Sequence, residues 1–201
     1  MINYNNIKKI DGWCSDEKIQ KMIDLIIKTK PSNIVEIGVY YGKSLICQAL
    51  ALKENKYGKI YAIDSWDVKD CTEFIEEQSA IKWWNDIDLN LVYESFLNSI
   101  KENEVENYVE IFKYKSIDCI DMIDHIDILH IDGNHEENSS CRDVNLYVPK
   151  VKIGGYIWFD DAKWHQTQKA INLIETVYNC KLIDRAYWED NINFCNLYIK
   201  E

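Results

Sequence analysis

The chain has 201 residues, with 34 acidic side chains against 23 basic ones and a net charge of -11 at pH 7. That length suits a single domain with one sizeable core, and the charge excludes a nucleic-acid groove, which needs clustered Lys and Arg to displace counterions from phosphates. No apolar run reaches the roughly 18 to 20 residues of a membrane span, and Met1–Ile10 is polar without a signal-like core, so the expectation is a soluble, cytoplasmic protein.

Ser15 caps a first helix with Asp16 and Glu17 in its first turn, where a negative charge is favourable. Ile19, Met22, Ile23, Ile26 and Ile27 give it one buried face. Pro31-Ser32 closes it before the central stretch of the chain, Asn33 to Ser44, NIVEIGVYYGKS. Ile34, Val35 and Ile37 are β-branched residues of a buried strand, and Gly38 and Gly42 allow the tight geometry of a strand-to-helix turn and close approach of a ligand to the main chain. In an open α/β sheet ligands bind beyond the carboxyl ends of the strands, which makes this turn the first candidate site.

Three turn motifs compete here. G-x-G-x-x-G fails, since Tyr40 stands in the second glycine place, and G-x-x-x-x-G-K-[ST] is one residue longer than Gly38 to Ser44 provides. The latter leaves a nucleoside-triphosphate site using Lys43 as the alternative. The third form, acid-x-Gly-x-x-x-Gly-x-Ser, is filled by Glu36, Gly38, Gly42 and Ser44.

Leu45, Ile46, Ala49 and Leu50 form the inward stripe of the next helix, and KIYAID, residues 59–64, is a second strand ending on an acid. Asp64 stands where nucleoside-binding folds place a carboxylate on ribose hydroxyls, the alternative being a solvated strand end. Ser65 lies beside it, and Trp66 is a candidate stacking partner for a base or a packing residue. Residues 67–91 exceed a turn and one helix and read as an inserted helical cap. Trp83 and Trp84 cannot both face inward, which leaves one for the core and one for a lid, an oligomer contact or a sugar face.

YVEIFKY, residues 108–114, alternates as a third strand, after which Ser116 either caps a helix or touches the pocket. IDILHIDGNH, residues 126–135, is another central strand, with His130 as a core histidine and Asp132 at its end. His135 lies on the following loop, placed to act as a base. A short helix spans 143–148, a glycine turn 149–155, and strand 155–159 ends in Asp160-Asp161. Asp132, Asp160 and Asp161 together suit a hard cation such as Mg²⁺, or alternatively Asp161 is a helix cap and Asp160 is solvated. Ala170, Ile171, Ile174, Val177 and Tyr178 mark a last helix, and segments 182–188 and 192–199 form an antiparallel hairpin across Glu189-Asp190-Asn191. The seven cysteines are odd in number, form no C-x-x-C pair and read as buried reduced thiols.

The ordered set VEIGVYYGKS, IYAIDSW, WWNDIDL, ILHIDGNH and PKVKIGGYIWFDD resembles the class I S-adenosylmethionine-dependent methyltransferases of the methyltransferase-24 type, related to macrocin O-methyltransferase-like and cephalosporin-hydroxylase-like enzymes. The resemblance implies a Rossmann-like, doubly wound α/β fold of seven strands, mostly parallel with an antiparallel last strand. It implies a cofactor pocket for S-adenosylmethionine formed by Glu36, Gly38, Gly42, Ser44, Asp64, Ser65, Trp66 and Ser116, with Asp132 near the transfer centre. It also implies Mg²⁺ on Asp132, Asp160 and Asp161 in metal-using members, with a histidine base corresponding to His135. Asn134 departs from the pattern, since many members have an acid there. The expected activity is methylation of a small-molecule hydroxyl, such as that of a sugar, nucleotide sugar or other polyol. The alternatives are the triphosphate-binding protein and a domain of this fold without turnover.

Overall fold

The computed structural model of the chain describes residues 4–189 and 192–201. In chain order the elements are α1 (Tyr4–Lys8), α2 (Asp16–Thr29), β1 (Asn33–Ile37), α3 (Lys43–Asn55), β2 (Lys59–Ile63), α4 (Val68–Cys71), α5 (Gln78–Asn85), α6 (Leu89–Glu102), β3 (Val109–Phe112), α7 (Ser116–Cys119), β4 (Ile126–Ile131), α8 (Glu137–Tyr147), β5 (Val151–Phe159), α9 (Gln168–Asn172), β6 (Cys180–Tyr187) and β7 (Phe194–Lys200). Among the described residues the strands form one sheet in the order β3-β2-β1-β4-β5-β7-β6. The first five run parallel, and β7 is antiparallel to both of its neighbours. Strand order reverses between β1 and β4, so the crevice of a doubly wound sheet opens beyond their carboxyl ends.

Alternation along each strand divides the interior into two cores. Ile34, Ile128 and Trp158 face the layer of α2, α3 and α6, while Val35, Leu129, Ile157 and Phe159 face that of α7, α8 and α9. Ser15 caps α2 as expected, accepting from Lys18 N, and its hydroxyl also donates to the Tyr187 carbonyl at 2.7 Å, tying the helix to β6. α3 is buried over more than the expected stripe, with Ser44, Cys47 and Gln48 enclosed besides its apolar residues. The reason is that it packs on β2 and is flanked by α1 and α2.

Several boundaries differ from the sequence reading. α8 begins at Glu137 rather than 143, because its buried face opens with Ser139 and Ser140, which carry no apolar signal. β5 begins at Val151, and the register slips between Val151 and Tyr156, so Gly154 and Gly155 sit in a bulge within the strand rather than in a turn before it. The last helix is a short α turn followed by a π turn at Leu173–Val177. Asp190 and Asn191 of the expected hairpin turn lie outside the described residues. All seven cysteines are free, five of them buried. No described helix is long and apolar enough to cross a membrane.

Candidate active site

A cleft of about 1140 Å³ opens at the carboxyl ends of β1, β2, β4 and β5 and is roofed by the insert. Its floor is the glycine turn. Gly38 and Gly42 both have positive φ, at 83° and 84°. A Cβ on Gly38 would lie 2.1 Å from the Asp132 carbonyl oxygen, and one on Gly42 would lie 2.4 Å from the Phe96 ring. The space these glycines leave is therefore filled by the chain itself, which lets the β1 and β4 turns touch. Asp64 holds the floor in shape. It accepts from Val39 N and Tyr40 N at 2.9 and 3.0 Å with one oxygen and from Trp66 N at 2.8 Å with the other. Burial raises its pKa against these three donors. Ser65 lines the cleft beside it. Trp66 lines it too, but its ring is stacked on Phe96 at 5.5 Å and its indole N–H donates to the Tyr40 carbonyl.

Glu36 does not reach the cleft. Being on the face of β1 that carries Ile34, it points into the α2–α3 layer, where it is fully buried and accepts from Ser44 Oγ at 2.7 Å and Gln48 Nε2 at 2.5 Å. His130, the expected core histidine, shares that face on β4, with Nδ1 3.0 Å from Glu36 and Nε2 2.6 Å from Asp160. Burial and Lys18 oppose its protonation, yet the two carboxylates outweigh them and push the imidazole up to about 9.

The paired acids after β5 separate. Asp160 turns inward to Lys18 and His130, with a side chain 1% exposed, and these cations hold it well below the usual carboxylate range in spite of its burial. Asp161 turns the other way, to the cleft, where its Oδ2 is 2.8 Å from His135 Nε2. Asp132 Oδ1 is 3.7 Å from the same nitrogen. Asp132, His135 and Asp161 thus offer one ligand atom each within 4.8 Å of one another, a two-oxygen, one-nitrogen set that a divalent cation fits. The trio on the cleft contains His135 in place of Asp160. Burial and then Asp160 raise Asp132 to about 7. Burial opposes the His135 imidazolium, but the Asp161 hydrogen bond together with the charges of Asp161, Asp132 and Asp160 outweighs it and raises its pKa.

Ser116 does not cap its helix; Lys115 holds the cap position without a side-chain bond. Its hydroxyl instead donates to Asp143 Oδ1 at 2.5 Å. Burial pushes Asp143 up to about 6. Neither Asp143 nor Lys18 was singled out in the sequence. Lys18 lies one turn before Met22 on the buried face of α2, and that spacing was the available signal.

The insert carries no fully buried residue in α4 or α5. Its tryptophans form the cleft wall: Trp83 packs on Trp13 at 5.6 Å and on Trp84 at 4.8 Å, and Trp13 stacks on Tyr40 at 5.5 Å. Asn134 Nδ2 donates to the Cys71 and Glu73 carbonyls at 3.2 and 2.8 Å, and Arg142 pairs with the Glu73 carboxylate at 2.8 Å. Lys43 donates to the Gly12 carbonyl at 3.1 Å, an engagement that does not favour the phosphate-loop alternative.

Residues 35–162, well over half of the chain, match the methyltransferase-24 family, described as a methyltransferase domain. The chain belongs to that family. It is 30% identical over 144 residues to an uncharacterised protein of Acanthamoeba polyphaga mimivirus, a match over 70% of this chain and 58% of that protein, so the chain spans less than two thirds of this relative's length. Its fold is similar to that of TomG of Streptomyces achromogenes, an O-methyltransferase involved in tomaymycin synthesis and solved in complex with S-adenosylmethionine. There the TM-score is 0.72 at 15% identity over 99% of this chain and 91% of that one. It is also similar to the O-methyltransferase of Bacillus cereus, solved with S-adenosylhomocysteine, with a TM-score of 0.67 at 13% identity over 98% of this chain and 87% of that one.

Proposed function

We propose that the protein is an S-adenosylmethionine-dependent O-methyltransferase acting on a hydroxyl of a small molecule such as a sugar or other polyol. The observation that carries this reading is the convergence of Asp132, His135 and Asp161 on a cleft floored by the glycine turn. Family membership and the cofactor complexes of TomG and the Bacillus enzyme support it. The cleft is larger than a typical single-ligand pocket of about 300 to 1,000 Å³, which suits a methyl donor and an acceptor side by side.

When bound, S-adenosylmethionine supplies a methyl group on a sulfonium, which is displaced in line by the acceptor oxygen and leaves a neutral thioether. The chain's part is alignment and proton removal. Asp64 has about four lone-pair sites and gives three to backbone N–H groups, so it has one left for a ribose hydroxyl. Gly38, Ser44, Ser65, Trp66 and Ser116 stand along the same wall. His135 takes the hydroxyl proton and Asp161, bonded to its Nε2, stabilises the imidazolium that results, a contribution of roughly 10² to 10⁴ in rate. A divalent cation on Asp132 and Asp161, when bound, would lower the pKa of the acceptor hydroxyl and orient it. The aromatic wall of Trp13, Trp83 and Trp84 presents flat apolar faces of the kind on which a sugar ring packs.

Titration calorimetry with S-adenosylhomocysteine and, separately, with ATP, each with and without Mg²⁺, tests the reading. Micromolar binding of S-adenosylhomocysteine alone is the expected result; binding of ATP alone would overturn it.

A further inference from the structure

Lys18 is a cation enclosed in the protein. Its side chain is 3% exposed, and its ammonium is hydrogen-bonded to Asp160 Oδ2, 3.0 Å from His130 Nε2 and 3.8 Å from Asp132 Oδ2. A ligand oxygen of Asp132, one of Asp160 and a ring nitrogen of His130 all lie within 4.8 Å of one another. That separation is also what two carboxylates bridged by one divalent ion show, since each oxygen then stands about 2.0 to 2.6 Å from the metal. A buried ammonium among carboxylates is tolerated only when paired, and here α2 delivers it to the acids at the ends of β4 and β5. Lys18 itself lies outside the segment 35–162 that matches the family.

We propose that the Lys18 ammonium is the resident cation of the Asp132–Asp160 pair, occupying the position from which a divalent ion would bridge them, so that any divalent ion at the cleft is held without Asp160. Lys18 is then a positioning residue. It neutralises the inner side of Asp132 and leaves the outer oxygen, with His135 and Asp161, to face the cleft. The inference rests on the methyltransferase reading only for what such an ion would do.

Mn²⁺ binding, followed by paramagnetic resonance titration of the full chain, tests it without reference to turnover. Asp160→Asn should change the Mn²⁺ affinity of the protein by less than about threefold, and Lys18→Met, which removes the charge and keeps the volume, should tighten it by at least about tenfold. A loss of about tenfold or more in Asp160→Asn would overturn the proposal, as would a folded Lys18→Met variant that binds Mn²⁺ no more tightly than the parent. If Lys18→Met does not fold, the Asp160→Asn comparison decides alone. S-adenosylhomocysteine titrated into the same parent sample separates the two ideas: absence of binding removes the methyltransferase reading and leaves the Mn²⁺ comparison intact.

Discussion

His135 Nε2 lies 2.8 Å from Asp161 Oδ2, so a loop histidine after β4 is held by the second acid after β5. This contact fixes the orientation of the ring that the proposed reaction uses as its base. His135→Ala should lower kcat by about 10² to 10⁴ while leaving S-adenosylhomocysteine affinity within about twofold. Asp161→Asn keeps an acceptor for the imidazole N–H but removes the negative charge that helps raise its pKa against burial. A base works only when unprotonated, so activity climbs as pH rises through its pKa; a lower pKa must move that acid limb to lower pH. A limb that stays in place, or moves up, would show that His135 is not the proton acceptor.

Asn134 donates to two carbonyls of the insert, a task that the ionised acid common at this place in the family cannot perform. Asn134→Asp should therefore loosen the roof. Each lost bond is worth about 1 kcal/mol, and leaving the carbonyls facing a carboxylate adds to the effect. The expected outcome is an acceptor KM raised by about three- to tenfold with kcat little changed, together with faster proteolysis within residues 67–77. Unaltered KM and unaltered cleavage would show that these bonds do not hold the roof.

Two glycines with similar φ separate backbone strain from steric conflict. At Gly154, with φ 76°, an added Cβ meets nothing within 4 Å, and Gly154→Ala should cost about 1 kcal/mol. At Gly38 the same atom strikes the Asp132 carbonyl. Gly38→Ala should cost about 3 kcal/mol or more and displace Asp132, abolishing turnover. Urea denaturation of the two variants checks the ranking, and equal costs would refute it.

At the opposite end of β4, Asp127 accepts from Ser32 N, Ser32 Oγ and Asn33 N at 2.6 to 2.8 Å and pairs with Lys152. Burial opposes its ionisation, but Lys152, the Ser32 hydroxyl and the two N–H groups outweigh it and hold the carboxyl down at about 2. A depressed folded-state pKa contributes stability above the unfolded value near 4, and that stability is lost as pH falls toward about 2. Asp127→Asn should accordingly be about 2 kcal/mol less stable than the parent at pH 7, with the gap closing between pH about 4 and about 2. A gap independent of pH would assign the loss to packing instead.

Much of the site was legible because strand-to-helix turns at the carboxyl edge of a parallel sheet collect whatever lies there. Gly38, Asp64, Asp132 and His135 are local features of that kind, and each stands on the cleft. The Asp160-Asp161 pair shows where such reading stops. Neighbours along an extended chain point to opposite faces, and here Asp160 meets Lys18 while Asp161 meets His135. The alternation placing Asp160 with Trp158 and Glu36 with Ile34 was present in the sequence, but which face would be cleft and which would be core was not.

By itself the sequence determined the order of the main elements, the turn that floors the cleft and the family, because hydrophobic period, turn residues and acid-glycine spacing act over short stretches of chain. Tertiary structure alone decided that Lys18, 142 residues before Asp160, is that acid's partner. It alone decided that Asn134 bonds to the insert and that Trp13 meets Trp83. Those contacts depend on how helices cross a twisted sheet, and a buried charge reveals its partner only when both have left water together.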